Sequence, residues 1–185
     1  MENNANDIKN GYAILNGSKV QFSERCIIED KLYITIPSDF EALPSKVFEM
    51  EFPDEKIPDI ILADKKETTA MLFSFSEKKI QADGVENAIN VMIKGIREIN
   101  PSFKTITTST IDTEEVRIGY FDYVGIDNET ADNNEEFYNL MFIFPLDGHL
   151  VSGSFSYFRE NFGEWLEVSK QMICSIRIVA KNNKD

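Results

Sequence analysis

Hydrophobic and polar residues alternate most clearly between Phe137 and Tyr157, in a stretch that is interrupted at Asp147 and Gly148. Asp-Gly is a favoured pair for a two-residue type I′ turn, because both positions need a positive φ. The stretch therefore predicts two long antiparallel strands joined by a tight hairpin. With that turn, the predicted register pairs Leu146 with His149, Phe144 with Val151, Phe142 with Gly153, and Leu140 with Phe155.

This hairpin has two predicted faces, because successive side chains of a strand point to opposite sides of a sheet. One face is almost wholly apolar and is expected to enter the core. The other face is half-polar and is the candidate partner-binding face; it comprises Met141, Ile143, Ser152, Ser154 and Ser156. Its small serines permit either a closely packed helix above them or an open groove. A three-residue loop would exchange the two faces.

Two segments have the period of amphipathic helices. Asp83 to Asn100 begins with a capping box, and Pro101 follows its end; the second helix begins after Asn161. Val116 to Ile126 is apolar on both faces, which is typical of a strand covered on both sides. Val47 to Phe52 alternates and is predicted as a strand. Further strands are predicted at Tyr12 to Leu15, Val20 to Phe22, Leu32 to Ile36, Ile60 to Ala63, Thr69 to Ser76 and, as an edge strand, Lys104 to Thr110.

The 185 residues fit one domain, with residues 1–10 as a flexible leader, 11–180 as the globular domain and 181–185 as a polar tail. The net charge of -13 argues against nucleic acid and anionic membranes as partners, because both need clustered Lys and Arg. No run reaches about 18 apolar residues, so membrane insertion is not predicted. The start has no signal-peptide core, and Cys26 and Cys174 are isolated. These features predict a reduced, cytoplasmic protein, unless a leader has been trimmed from the native chain.

Catalytic chemistry finds little support in the sequence. His149 is the one histidine, and Ser152 near it is predicted to point to the opposite face, so Asp147, His149 and Ser152 do not make a triad. Two distant cysteines and one histidine are too few for a structural zinc site. The acidic segment from Asp127 to Glu136 lacks the mid-loop glycine of an EF-hand and is interpreted as a solvated loop. We predict no enzyme activity, no metal and no cofactor, although a carboxylate pair brought together by the fold stays open.

Several short motifs, taken in order, resemble the PsbP-like superfamily, and in particular its DcrB-related bacterial branch. Each motif is degenerate, and the resemblance depends on their order between Leu32 and Val179. The motifs are Lys31 to Phe40 (KLYITIPSDF), Ile57 to Ile61 (IPDII), Ile118 to Tyr123 (IGYFDY), Asn139 to Ser156 and Glu164 to Ile178.

The resemblance implies an α+β fold, an α/β/α sandwich whose central, mostly antiparallel sheet of about six to eight strands is flanked by two main helices. It also implies a family of binding modules without enzymatic activity. We expect a non-enzymatic, chaperone-like protein that holds a protein or peptide partner, either basic or carrying an apolar segment. The alternatives are a purely structural assembly module and, less favoured, a carboxylate-dependent enzyme. The oligomeric state is left open.

Overall fold

The computed structural model describes residues 7–51, 56–66, 68–99, 101, 103–126, 136–158 and 162–179. Residues 1–6 of the predicted leader, the polar tail 181–185 and residues 127–135 of the acidic segment lie outside the described residues. The helices are α1 Ser45–Glu51, α2 Val85–Ile99 and α3 Phe162–Cys174. The strands are β1 Tyr12–Leu15, β2 Ser18–Ile28, β3 Leu32–Pro37, β4 Glu41–Ala42, β5 Ile60–Ala63, β6 Thr69–Lys79, β7 Lys104–Asp112, β8 Arg117–Ile126, β9 Glu136–Leu146, β10 His149–Phe158 and β11 Arg177–Ile178.

The larger sheet has seven strands in the order β4-β5-β6-β10-β9-β8-β7. Every neighbouring pair in it is antiparallel. The β9–β10 hairpin lies inside this sheet, with β6 on one side and β8 on the other, whereas β7 forms an edge as predicted. The hairpin therefore supplies the middle of the sheet.

The turn of this hairpin has the predicted geometry. Asp147 and Gly148 have φ values of 50° and 76°, the positive pair that a type I′ turn requires. Leu146 pairs with His149, and Phe142 pairs with Gly153. The predicted register is thus confirmed, and with it the assignment of side chains to the two faces.

The two main helices lie on opposite faces of the larger sheet. On one face, α2 packs its buried residues Val85, Ile89 and Ile93 against Phe121 and Ile143. On the other face, the phenylalanine-rich side of the hairpin joins a larger core that includes Trp165, Val168 and Met172 of α3. The predicted α+β fold with two main helices and a mostly antiparallel sheet is confirmed.

A second sheet of four strands, in the order β1-β2-β3-β11, was not predicted as a separate layer. It lies on the α3 side, because α3 contacts β1 and β3 as well as β9 and β10. Ile8, which we placed in the flexible leader, is 3 % exposed and belongs to this core. The predicted leader therefore overlaps an ordered turn at Ile8–Asn10.

The prediction of a strand at Val47 to Phe52 is wrong, because Ser45–Glu51 forms α1. The segment is short, and its apolar positions at Val47 and Met50 are also three residues apart, which suits a helix as well as a strand. Pro44 precedes the helix and, having no backbone N–H to donate, favours a helix start over continued sheet pairing.

Gly153 offers a test of the packing at the centre of the sheet. A methyl group at this position would overlap the ring of Phe142, which is fully buried. Gly153→Ala is expected to lower the free energy of unfolding by about 1–3 kcal/mol, the usual effect of overpacking a core. Urea denaturation followed by circular dichroism measures it.

Gly95→Ala is the matched control, since an added Cβ there meets no atom within 4 Å. Alanine is the better helix former, so this variant should be more stable by about 0.5–1 kcal/mol. If the Gly153→Ala variant had the same urea midpoint of unfolding as the wild type, this result would contradict the described contact with Phe142.

Candidate functional site

The candidate partner-binding face lies on the α2 side of the larger sheet, and α2 covers part of it. Ile143 is fully buried and packs with Val85 and Ile89 of the helix. Gly119, its neighbour on β8, lets the helix come close, because a Cβ there would lie 2.6 Å from Cγ1 of Ile89. The helix therefore makes Ile143 a core residue, which is the first of the two arrangements left open for this face, and takes it out of the part that a partner could reach.

Beyond α2, the same face is only half-buried. Ser152, Ser154 and Ser156 of β10 are intermediate in exposure, and Met141 packs at the margin of the α2 cluster. β6 pairs with β10 on the other side and extends this surface. We call the combined strip the serine floor; it consists of Ala70, Leu72, Ser74, Ser152, Ser154 and Ser156, all half-buried.

The β6 members of this strip could not be assigned from the sequence. Ser74 lies opposite Ser152, and Leu72 lies opposite Ser154, although about 80 residues separate the strands in sequence. The alternation within β6 shows which of its residues share a face, but not which strand lies beside it. The pairing of β6 with β10 is a long-range contact without a local signal.

A cleft adjoins one end of the serine floor. It has a volume of about 500 Å³ and lies between α2 and the ends of β6 and β10. Ala88, Val91 and Met92 of α2 form its apolar wall together with Leu150, which stands two residues before Ser152 on the same face of β10. Lys78, Lys79 and Asp83 are the charged residues at its rim. We call it the α2 cleft.

The other end of the serine floor carries a polar contact. The Ser156 hydroxyl donates a short hydrogen bond to Oδ1 of Asn139 on β9. Asn139 is 6 % exposed, so this bond satisfies a polar group that would otherwise be costly to bury. The contact links the side chains of β9 and β10 at this end, while Ser152 and Ser154 lie further along β10 toward the turn.

The geometry around the histidine matches the sequence prediction. His149 is exposed at the end of the turn, where its Nδ1 lies 3.1 Å from the Asp147 carbonyl oxygen. Ser152 sits on the opposite face of β10, out of line with a histidine base. Among the described residues, His, Cys, Asp and Glu nowhere gather in a group of three or more that could hold a metal ion.

Both cysteines are free and exposed. Cys26 lies on β2 with its thiol 3.2 Å from the Ile28 carbonyl oxygen. Although the residue is exposed as a whole, desolvation by the protein atoms around the Cys174 sulfur, and secondly the nearby Glu167, raise the pKa of this thiol, which lowers its thiolate fraction. Cys174 therefore lacks the surroundings of an activated nucleophile.

A buried carboxylate on the core side of β8 was missed by the sequence analysis. Asp122 is 1 % exposed, and neither of its oxygens has a hydrogen-bond partner among the described residues. Nζ of Lys170 on α3 lies 3.5 Å away from one of them. Burial raises the pKa of Asp122 and outweighs the lowering by Lys170. The sequence feature that could have revealed this buried carboxylate is a single charged residue inside the apolar run from Ile118 to Tyr123.

Asp122 also affects its surroundings. Burial first, and the Asp122 charge second, raise the pKa of Tyr157 above its ordinary value, so the phenol stays protonated. Tyr157 stacks on Tyr138 with ring centroids 5.8 Å apart. Asp122, Tyr138 and Tyr157 form a cluster on the side of the sheet that faces α3. Within it, Asp122 pairs with Lys170 of α3, so the site is an ion pair and not the pair of carboxylates that can serve as general acid and base.

The chain shares its fold with several proteins of known structure. It is similar to cyanobacterial PsbP (CyanoP) from Synechocystis sp. PCC 6803, with a TM-score of 0.60, 12 % identity and coverage of 85 % of this chain and 92 % of that one. It is also similar to the Ran-binding protein Mog1p of Saccharomyces cerevisiae, with a TM-score of 0.56, 9 % identity and coverage of 86 % and 96 %.

A third similar structure is LpqN of Mycobacterium tuberculosis, a protein involved in cell envelope biogenesis, with a TM-score of 0.52, 11 % identity and coverage of 87 % and 92 %. At these identities the likeness concerns the fold alone. The sequence matches no protein-family model and no curated protein. The DcrB-related branch therefore stays a prediction from the sequence motifs.

Asp122 gives a prediction about stability. A carboxyl whose pKa is raised by folding favours the native state at low pH and loses that contribution as the pH rises through the raised pKa. Asp122→Asn should therefore stabilise the protein at pH 7, and its advantage over the wild type should shrink as the pH is lowered. Lys170, 25 % exposed, can hydrate its charge after the substitution.

Urea unfolding at pH 7 and at pH 4 to 5 measures this difference. Asp39→Asn, a change at an exposed aspartate, serves as the control and should stay within about 0.5 kcal/mol of the wild type. A loss of several kcal/mol in Asp122→Asn at pH 7 would show instead that the ion pair with Lys170 is worth more than the cost of burying it.

Proposed function

We propose that this chain, which has a PsbP-like fold, is a non-enzymatic module that binds a segment of another protein on its serine floor. The observation that carries the proposal is the half-buried state of this strip inside a seven-stranded sheet. Antiparallel sheets commonly leave one face to solvent; here α2 covers that face over β8 and its neighbours, and the strip beside the helix stays open. A partner segment on the serine floor would complete the covering that α2 provides for the neighbouring strands.

The chemistry of the strip supports a segment rather than a small reactant. Serine and alanine side chains are short, so a chain laid across them can approach the sheet closely. Leu72 of the strip and the adjacent Met141 of β9 add apolar contact area, and methionine adapts to differently shaped partners. The hydroxyls of the half-buried Ser152 and Ser154 can donate to or accept from backbone groups of the partner. Nothing in the strip has the pairing of nucleophile and base that catalysis needs.

The similar structures agree with a binding role. One of them is a Ran-binding protein, and the fold is therefore compatible with recognition of another protein. The identities are too low to transfer that partner to this chain. A chaperone-like role, in which an apolar segment is held until it is needed, is our preferred form of the proposal because the site combines polar and apolar groups.

A cytoplasmic location belongs to the same proposal. Cys26 and Cys174 are unpaired, as is usual for proteins of a reducing compartment. No helix in the described part of the chain has the length and apolar character to cross a membrane. The partner is accordingly expected to be met in aqueous solution.

Ser154→Arg tests the proposed site. A photo-crosslinking residue placed at position 154 in the native cell should first attach to a partner protein. Ser154→Arg should then weaken binding of that purified partner at least about tenfold, because a long charged side chain fills the middle of the serine floor. Calorimetry or fluorescence anisotropy measures the affinity.

Ser109→Arg on the edge strand β7 is the matched control, since Ser109 is exposed and far from the strip in strand order. It should leave the affinity unchanged. Equal crosslinking from positions 154 and 109, or a partner that binds Ser154→Arg as tightly as the wild type, would overturn the proposed function. Both variants should keep the wild-type unfolding transition.

A further inference from the structure

Gly95 stands in the interior of α2 without a reason inside its own chain. A glycine there costs a helix about 0.5–1 kcal/mol relative to alanine. At Gly119 the packing explains the glycine, because an added Cβ would meet Ile89 and Val85 at 2.6 and 2.7 Å. At Gly95 an added Cβ would meet no atom within 4 Å. The helix therefore keeps open a place where something from outside can approach its backbone.

Large apolar residues flank this opening. Val91 and Ile99, four residues before and after Gly95, are 62 % and 87 % exposed. Residues four apart lie above one another on a helix, so Val91, Gly95 and Ile99 form one continuous stripe that is narrowest at the glycine. These side chains are not needed by the core, which α2 meets through Val85, Ile89 and Ile93.

The stripe faces the serine floor. At 100° per residue, Gly95 lies about 120° around the helix from Ile89, on the flank that also carries Ala88 and Met92. Ala88, Val91 and Met92 line the α2 cleft together with Leu150 of β10, so this flank looks toward β10 and β6 and away from β7. The opposite flank is polar, and there Arg97 donates a hydrogen bond to Thr105 of β7.

We propose that this flank of α2 and the serine floor together hold a single amphipathic α-helix of the partner, which rests on Gly95. The proposal rests on the proposed function and adds the shape and chemistry of the partner. The glycine lets the partner helix approach closely, Val91 and Ile99 hold it on either side, and the floor serines accommodate its lower face.

Charge sets the chemistry of one end of that helix. The α2 cleft carries Lys78 and Lys79 against a single acidic residue, Asp83, whereas the whole chain has a net charge of -13. An excess of positive charge at this rim complements carboxylates on the partner. The occupant is thus an apolar helix with acidic residues at one end, and not the basic segment that the overall charge suggested.

The test uses synthetic peptides of about 16 residues, long enough to span α2. The first peptide is an amphipathic helix with leucines at helical spacing and glutamates in one terminal turn. The second has lysines in place of these glutamates, and the third has the first composition with proline placed at its centre, which breaks the helix. Anisotropy of a fluorescent label gives the dissociation constants for wild type and variants.

The acidic helix should bind at least about tenfold more tightly than either of the other two peptides. Gly95→Leu fills the narrow point of the stripe and also favours the helical state of α2. This variant should weaken binding of the acidic helical peptide by a similar factor. Asn90→Leu, on the exposed polar side of α2, is the matched control and should leave the affinity unchanged. Lys78→Glu combined with Lys79→Glu should reverse the preference between the acidic and the basic helix.

Failure of the inference can be told apart from failure of the proposed function. Equal binding of the helical and the proline peptide, both lost in Ser154→Arg, would leave the serine floor as a binding site but overturn the helical occupant. Binding of the acidic helical peptide that Gly95→Leu leaves unchanged would likewise overturn the helical occupant and leave the serine floor as a binding site. Self-association of the wild type that Gly95→Leu removes, seen by sedimentation velocity, would overturn it in favour of a second copy. No binding of any peptide to the wild type would also refute it.

Discussion

The alternation of side chains along the β9–β10 hairpin is the constraint on which the rest of the structure depends. The positive φ angles of Asp147 and Gly148 set the register, and a shift of one residue would exchange the two faces of both strands. In the observed register Phe142, Phe144 and Phe155 enter the large core, and Gly153 leaves the space that the Phe142 ring occupies. The serines then have to lie on the opposite face.

Strong local signals made the hairpin, α2 and the doubly covered strand β8 predictable from the sequence. Features decided by distant contacts were not predictable. The pairing of β6 with β10, the separate small sheet and the burial of Ile8 all bring together parts of the chain that are far apart in sequence. The incorrect prediction of a strand at Val47 to Phe52, where α1 forms, has another cause. Seven residues are too few to distinguish the two-residue period of a strand from the 3.6-residue period of a helix.

The width of α2 explains why the candidate site has two different parts. One helix is about 10 Å across, roughly two strand spacings, and α2 sits above β8 and its neighbours. Ile143 falls beneath the helix and becomes core, whereas the serines of β10 lie beyond its edge. The sequence showed the half-polar face correctly, but the position of the helix above it depended on Gly119, where the missing side chain lets α2 settle.

Binding of a partner on the serine floor requires this strip to be accessible in solution. Thiol labelling tests this directly, in a chain whose native cysteines are replaced by serine. Ser154→Cys is compared with Ser109→Cys on the exposed edge strand and with Ser169→Cys in α3, where the native serine is fully buried. We predict that position 154 reacts at a rate close to that of position 109. A rate as slow as that of position 169 would show that the serine floor is covered and would contradict the proposed binding site.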